Sequence, residues 1–159
     1  MPTINNVFSS DGLLAGAIKG FVPREAQTEM AKAVKRAIDT TGSLIVEAGT
    51  GTGKTFAYLA PALLSDGKAI VSTGTKNLQE QLFHRDLPLV KKALGSKRKT
   101  ALLKGRSNYL CLHRVAQHSG NSTLVEKEVL GQLSEVKRWS STTKTGDMGE
   151  LKTLPEDAR

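Results

Sequence analysis

Cysteine is nearly missing from this chain, with Cys111 the only one in 159 residues. No internal disulfide can form, so apolar packing must hold the core, and a reducing cytoplasm is the expected setting. Long apolar runs are missing as well. Nothing approaches the roughly 18 consecutive apolar residues of a bilayer-crossing helix, so no membrane partner is expected. The opening Met1-Pro2-Thr3-Ile4-Asn5-Asn6 has neither a basic n-region nor an apolar h-region, and export is not expected. Acidic residues are absent from one long window. Between Leu87 and Val125 stand Lys91, Lys92, Lys97, Arg98, Lys99, Lys104, Arg106 and Arg114, with no Asp or Glu. Those eight account for the whole net charge of +8, because the other fifteen of the 23 Lys and Arg balance the 15 acidic residues. An excess gathered in one stretch points to a polyanion partner, although a solvated loop and helix ends would look the same.

What is present suits one globular domain. Residues 1–20 are polar and punctuated by glycine, and read as an irregular lead-in. A helix is expected from near Pro23, with Met30, Ala33, Val34, Ala37 and Ile38 forming one apolar stripe and Thr41-Gly42 stopping it. Leu44-Ile45-Val46 has the β-branched density of a buried strand. A Gly-rich loop follows, then a helix from about Lys54 that Pro61 should kink or shorten, ending at Asp66-Gly67. Ala69-Ile70-Val71 reads as a second strand, and the order strand–loop–helix–strand is a βαβ unit with a right-handed crossover. A further helix is expected over Lys76 to Phe83 with Leu78 and Leu82 inward, then a Lys97-Arg98-Lys99 turn and a third strand near Thr100 to Leu103. Thr123 and Glu126 have capping-box spacing ahead of a stripe of Val125, Val129, Leu133 and Val136, weakened by Gly131, that runs to about Trp139. From Ser140 onward no packed element is expected. The fold class is therefore α/β, a parallel sheet flanked by helices.

The chemistry is concentrated in Ala48-Gly49-Thr50-Gly51-Thr52-Gly53-Lys54-Thr55, a phosphate-binding P-loop. Glycines let backbone amides turn inward around phosphate oxygens without a Cβ in the way. The helix that follows adds unpaired N–H groups and the positive end of its dipole. Lys54 would reach the β- and γ-phosphates of ATP as a point charge, and the Thr55 hydroxyl would ligate Mg²⁺.

The wording around the loop is more specific than a generic P-loop. Phe21-Val22-Pro23-Arg24-Glu25-Ala26-Gln27, followed by Met30, resembles the F-x-P-R-x-x-Q-x-x-M segment of the iron–sulfur superfamily 2 DNA helicases, the DinG/YoaA/XPD group. The loop itself fits the helicase form A-x-x-G-x-G-K-T, so Ala48 in place of the usual first glycine agrees with that family. By this resemblance Gln27 reads the adenine edge with Arg24 nearby. An amide suits that role, since it donates to N7 and accepts from the exocyclic amine together. Ser72-Thr73-Gly74-Thr75 and Leu78-Gln79-Glu80-Gln81-Leu82 are similar to motif Ia, which implies that Thr73, Gly74 and Thr75 touch the sugar–phosphate backbone of single-stranded DNA. Thr75 could equally cap the next helix. Leu103-Lys104-Gly105-Arg106-Ser107-Asn108-Tyr109-Leu110-Cys111 looks like the entry to the iron–sulfur insertion, where Cys111 is the first of four ligands to a 4Fe-4S cluster. The tract Tyr58-Leu59-Ala60-Pro61-Ala62-Leu63 and the run Arg85-Asp86-Leu87-Pro88 lean toward the YoaA branch. The implied organisation is a lead-in over 1–20, the first part of a RecA-like helicase domain over 21–104, and the truncated start of the insertion over 105–159.

Against that pattern several parts are absent. No cysteine follows Cys111, so no cluster is expected within these residues. On a helix His113 would point roughly 200° away from Cys111 and His118 would sit about 10 Å along the axis, which is no chelate. No D-E-x-H box occurs, and Glu156-Asp157 follows Pro155 rather than an apolar strand. The resemblance implies a parent enzyme that couples ATP hydrolysis to 5′-to-3′ movement on single-stranded DNA in repair or replication, with a repair or replication protein as a further partner. The residues here are expected to bind nucleotide without useful turnover. Tyr109 could stack on a base or pack inside the insertion. Two other readings stay open. One is a different P-loop NTPase, for which a guanine-reading N-K-x-D is lacking; the other is a non-enzymatic nucleic-acid or partner-binding module that retains the fold.

Overall fold

The computed structural model describes residues 2–117 and 127–152, which fall into two compact units, Met1–Thr100 and Ala101–Arg159. The first unit is built on helices. Thr3 accepts the Asn6 amide at 3.2 Å and so caps α1 (Ile4–Phe8). After α2 (Leu13–Ala17) the chain reaches α3 (Glu25–Asp39) and α4 (Lys54–Leu64). Then come α5 (Lys76–Gln81), a π-helical turn (Leu82–Asp86) and α6 (Leu87–Leu94).

The lead-in expected to be irregular is instead part of the core. Ile4, Val7, Phe8 and Leu14 are buried and pack in one cluster with Ala31, Ala57, Leu59, Ala60, Leu82, Leu87 and Val90. Ile4, Val7 and Phe8 stand at i, i+3 and i+4, which puts all three on one side of a single short helix. A helix of five residues is too short to show a repeating stripe, so its pattern resembles isolated apolar pairs in the sequence.

Two helices carry the site. The face that α3 turns inward bears the buried Gln27 and Ala31. Its expected stripe of Met30, Val34, Ala37 and Ile38 lines an open groove of about 500 Å³ with Leu44 and Val46. Pro61 does not break α4, which runs on to Leu64 with Pro61 fully buried. Proline removes only its own N–H from the ladder, and three residues beyond it remain helical. Arg98 covers the end of α4. Its guanidinium donates to the carbonyls of Ala62 (3.2 Å), Ser65, Asp66 (3.4 Å) and Gly67. Ala62 is in the last turn of α4, where carbonyls lack intrahelical amides, and the other three belong to the cap and the turn beyond it; a cation there also meets the negative end of the dipole. Lys91 in turn donates to the Arg98 carbonyl at 2.6 Å.

The helix expected over Lys76 to Phe83 is longer and interrupted. It passes through the π-turn, where the Leu87 amide bonds back to Leu82, and continues as α6 to a left-handed Gly95 (φ 60°). Leu82 points inward as expected, but Leu78 is 41% exposed. The inserted residue of the π-turn shifts the inward face and brings Asp86 into the interior, 6% exposed.

The parallel sheet is not formed among the described residues. Residues 42–49, 68–73 and 99–105 form no regular secondary structure, and no ladder joins any of them. Ile45 and Ile70 are 98% and 96% exposed, where a sheet packed on both faces would bury them. Strand propensity is local and is present in these segments; a strand also needs lateral backbone partners, and none of the three provides one for another.

The second unit is small. Tyr109 and Asp147 form an antiparallel bridge, and the Leu110 amide donates to Gly146 at 2.8 Å. Lys104 pairs with Asp147 at 2.7 Å, while its amide donates to the Tyr109 hydroxyl at 2.9 Å. Helices α7 (Leu112–Gln117) and α8 (Lys127–Ser140) follow. Val136 and Leu151 are buried with Leu110, Val115, Trp139 and Met148 packed against them. The expectation of no packed element after Ser140 is thus corrected: a 3-10 turn, Met148–Glu150, delivers Leu151 to the core, with Asp147 capping it through the Gly149 amide at 2.9 Å. The Thr123 and Glu126 capping box, Val125 and His118 lie outside the described residues, as does Glu156-Asp157.

If α1 is part of the core, Phe8→Ala should lower the unfolding free energy by about 3–5 kcal/mol in a urea titration. Val22→Ala, at an exposed apolar position, should change it by less than about 0.5 kcal/mol.

Candidate nucleotide-binding site

Ala48 to Gly53 lead into the first turn of α4, and two of the loop's residues are left-handed, Gly51 at φ 75° and Gly53 at φ 80°. Only glycine holds those angles without a Cβ penalty, which is the local reason the loop can bend back on itself. Thr52 donates to the Gly49 carbonyl at 3.0 Å and closes the bend from within. A Cβ placed on Gly49 or Gly51 would meet nothing within 4 Å, so the space before the loop is open.

Gly53 is the N-cap of α4, and its carbonyl accepts from Phe56 at 3.1 Å and Ala57 at 3.2 Å. It also accepts from the Gln27 side-chain amide at 2.9 Å. Gln27 is 5% exposed, and α3 packs along α4 to bring it there. The approach is close enough that a Cβ on Gly53 would lie 2.0 Å from Gln27 Nε2. The structure places Gln27 beside the loop, with a direct bond between them. That bond uses one of the two N–H groups on Nε2, leaving the other as a donor and Oε1 as an acceptor.

Lys54 folds back over the loop, donating to the carbonyls of Ala48 at 2.7 Å and Gly49 at 2.6 Å. An ammonium held there is already at the mouth of the bend, where an anion would exchange for two neutral carbonyls. Thr55 lies in the first turn of α4, and Tyr58 follows one turn later on the same face. The Tyr58 pKa is raised by burial and, to a lesser extent, by the negative charge of Asp86, while the neighbouring Thr55 hydroxyl opposes them. The phenol is consequently neutral at ordinary pH.

Arg24, at the N-cap of α3, is exposed, and its carbonyl accepts from the Gln27 and Thr28 amides at 3.1 Å each. Thr73, Gly74 and Thr75 lie together just before α5, apart from the loop in sequence. Thr75 caps α5 by accepting the Leu78 amide at 3.2 Å, and Thr73 donates to the Thr75 carbonyl at 3.4 Å. Cys111 and His113 are both exposed. No group of three His, Cys, Asp or Glu able to hold a metal occurs among the described residues.

Two features escaped sequence reasoning: the Gln27–Gly53 bond and the π-turn that buries Asp86. An acid standing between Leu82-Phe83 and Leu87 was the one signal available for the last. The basic window was also read too uniformly. Lys91 and Arg98 are engaged within the first unit, and Lys104 with Asp147 within the second, their side chains 11% and 17% exposed. Lys92, Lys97 and Lys99 in the first unit, and Arg106 and Arg114 in the second, are exposed.

The close approach at Gly53 can be tested by a double-mutant cycle. Gly53→Ala should cost about 2–4 kcal/mol of stability, combining left-handed strain with the clash on Gln27. In a Gln27→Ala background the same change should cost at least about 1 kcal/mol less. Equal costs in the two backgrounds, measured by urea unfolding, would contradict the contact.

Comparison with known proteins agrees with this geometry. Residues 24–146 match the DEAD/DEAH box helicase model. The chain is 58% identical over 155 residues to the ATP-dependent DNA helicase YoaA of Haemophilus influenzae, covering 98% of this chain and 24% of that protein. It is 51% identical over 152 residues to the protein of the same name in Escherichia coli K12, covering 96% and 24%. The ATP-dependent helicase DinG of Mycobacterium tuberculosis H37Ra is 41% identical over 160 residues, with 87% and 24% covered. The chain thus spans about a quarter of the length of these relatives. No solved structure matches it. A left-handed glycine bend entering a helix, its lysine and threonine in place and a buried glutamine against it, together with the model match over most of its length, place this chain in the DEAD/DEAH box helicase family.

Proposed function

We propose that the chain is the ATP-binding front of an ATP-dependent DNA helicase. The observation that carries this reading is the open Gly49–Thr55 bend with Lys54 at its mouth and Gln27 behind it. In this reading the loop amides and the first turn of α4 hold the phosphates, and Lys54 leaves the Ala48 and Gly49 carbonyls for the β- and γ-phosphate oxygens. Gln27 presents its remaining N–H and Oε1 to the adenine edge while staying bonded to Gly53, with Arg24 beside it. Thr55 offers a hard hydroxyl oxygen, the ligand type Mg²⁺ prefers.

Single-stranded DNA is the second ligand. Thr73, Gly74 and Thr75 contact its backbone, Thr75 through the hydroxyl hydrogen left over after capping. The exposed Lys97 and Lys99 neutralise phosphates nearby on the strand's path. In the longer parent the segments 42–49, 68–73 and 99–105 are strands of the RecA-like parallel sheet. There, Cys111 becomes one ligand of a 4Fe-4S cluster, and ATP hydrolysis drives 5′-to-3′ movement on DNA in cytoplasmic repair or replication, alongside a protein partner from that machinery. The two YoaA relatives are ATP-dependent DNA helicases, and the match of residues 24–146 supports carrying that activity across. These residues alone lack the D-E-x-H box, so nucleotide binding without useful turnover is expected of them.

A fluorescent ATP analogue should bind the chain in the presence of Mg²⁺, and Lys54→Ala should weaken binding at least about tenfold. Absence of binding, or binding indifferent to Lys54, would remove the nucleotide reading. Affinity for a single-stranded oligonucleotide should fall with salt, and neutralising Lys97 and Lys99 together should lower the slope of log affinity against log salt by about 1–1.5. Arg98→Ala should instead lower stability, by about 1–3 kcal/mol, because its guanidinium is committed to carbonyls.

A further inference from the structure

The segment Thr73–Thr75 leads into α5, with Thr75 as its cap, and α5 buries none of its own residues. Among the described residues no helix packs on it as the π-turn does. Its orientation is therefore handed on from that turn, whose Leu82 and Asp86 are buried and which packs on α4 and α6. Pro88, at the start of α6, gives a local reason for the turn. In a straight α-helix its ring would meet the carbonyl four residues back, so the sequence resists closing there.

Pro88 opens the turn but leaves its pitch unset. Across it Gln81 Nε2 donates to Asp86 Oδ2 at 3.2 Å. The two residues are five apart, the interval of the Leu82–Leu87 backbone bond beside them. On an α-helix positions five apart lie about 140° round from each other, so the two side chains would face apart. On an i→i+5 turn they stack on one side. The bond therefore belongs to the π form and selects it. We propose that Gln81 and Asp86 are positioning residues for the DNA-contact segment: their bond locks the π-turn, and the locked turn fixes the rotation of α5 and so the place of Thr73, Gly74 and Thr75. A slip of one residue at the turn would rotate α5 by about 100° and carry the Thr75 cap off the strand's path. This assignment rests on the DNA reading above and adds to it two residues that act without touching DNA.

The test uses the complete 159-residue chain with a fluorescent oligothymidylate and, separately, the fluorescent ATP analogue. Gln81→Met keeps length and charge and removes the donor, while Asp86→Leu removes the acceptor. Asp86→Leu also deletes a negative charge, so electrostatics alone would raise its DNA affinity. Each variant, and the two combined, should instead bind oligothymidylate about fivefold more weakly, the scale of one net hydrogen bond lost once. Analogue affinity should stay within about twofold. The combined variant leaves neither partner unpaired, so its urea midpoint should lie near that of the unaltered chain, which separates positioning from loss of fold. DNA affinity within about twofold for Gln81→Met would overturn the lock, as would a combined loss equal to the product of the single losses. Should Asp86→Leu fail to fold by circular dichroism, Gln81→Met decides together with amide hydrogen exchange: exchange at Leu87 should quicken about fivefold, and unchanged exchange would overturn the proposal. An unaltered chain that binds no oligothymidylate would instead defeat the DNA reading itself, and this inference with it.

Discussion

The Gly53 carbonyl joins the two helices that carry the site. It receives two amides from the first turn of α4 and the side-chain amide of Gln27 from α3. Because Gly53 is left-handed, the chain reverses there and the loop amides can converge instead of continuing along a strand. Because Gln27 is buried against that same carbonyl, the distance between α3 and the loop is set by a hydrogen bond rather than by apolar contact alone. In the proposed reading, adenine recognition and phosphate recognition share one fixed point. A change in the loop's bend must move Gln27, and a nucleotide base drawing on Gln27 must act on the loop.

Lys54 and Arg98 show the same backbone chemistry at opposite ends of α4. At the start, the ammonium of Lys54 is satisfied by two loop carbonyls that a phosphate can replace. At the end, the guanidinium of Arg98 meets four carbonyls, one in the last turn of α4 and three just beyond it. One contact is exchangeable and belongs to function; the other is a multidentate clamp and belongs to the fold. The distinction matters for the basic window, where a count of charges treats Arg98, Lys97 and Lys99 as equals. Of these three, only the exposed Lys97 and Lys99 are available to an external polyanion.

Much of the site was legible from residue order, because its determinants are local. Glycines at fixed offsets, a lysine and threonine opening a helix, and a glutamine on the preceding helix all occur within thirty residues. What could not be read depended on partners distant in sequence or on helices too short for a period to appear. The helices over Ile4–Phe8 and Leu13–Ala17 are of the second kind. Asp86 and the capping of α4 by Arg98 are of the first, as is Leu151, which reaches the second unit's core by way of an Asp147 bridge to Tyr109. The three strand-like segments make the opposite point. Their β-branched residues carry strand propensity, yet propensity is a property of a segment, while a sheet is a property of neighbours.

The most direct measurement is an amide-resolved NMR titration with Mg²⁺ and a non-hydrolysable ATP analogue. The account predicts that the largest shifts fall on the backbone amides of Gly49 to Thr55 and on the Gln27 side-chain amide, saturating together with one affinity. Shifts centred elsewhere, such as the apolar groove beside Met30 and Val34, with the loop amides unmoved, would contradict it.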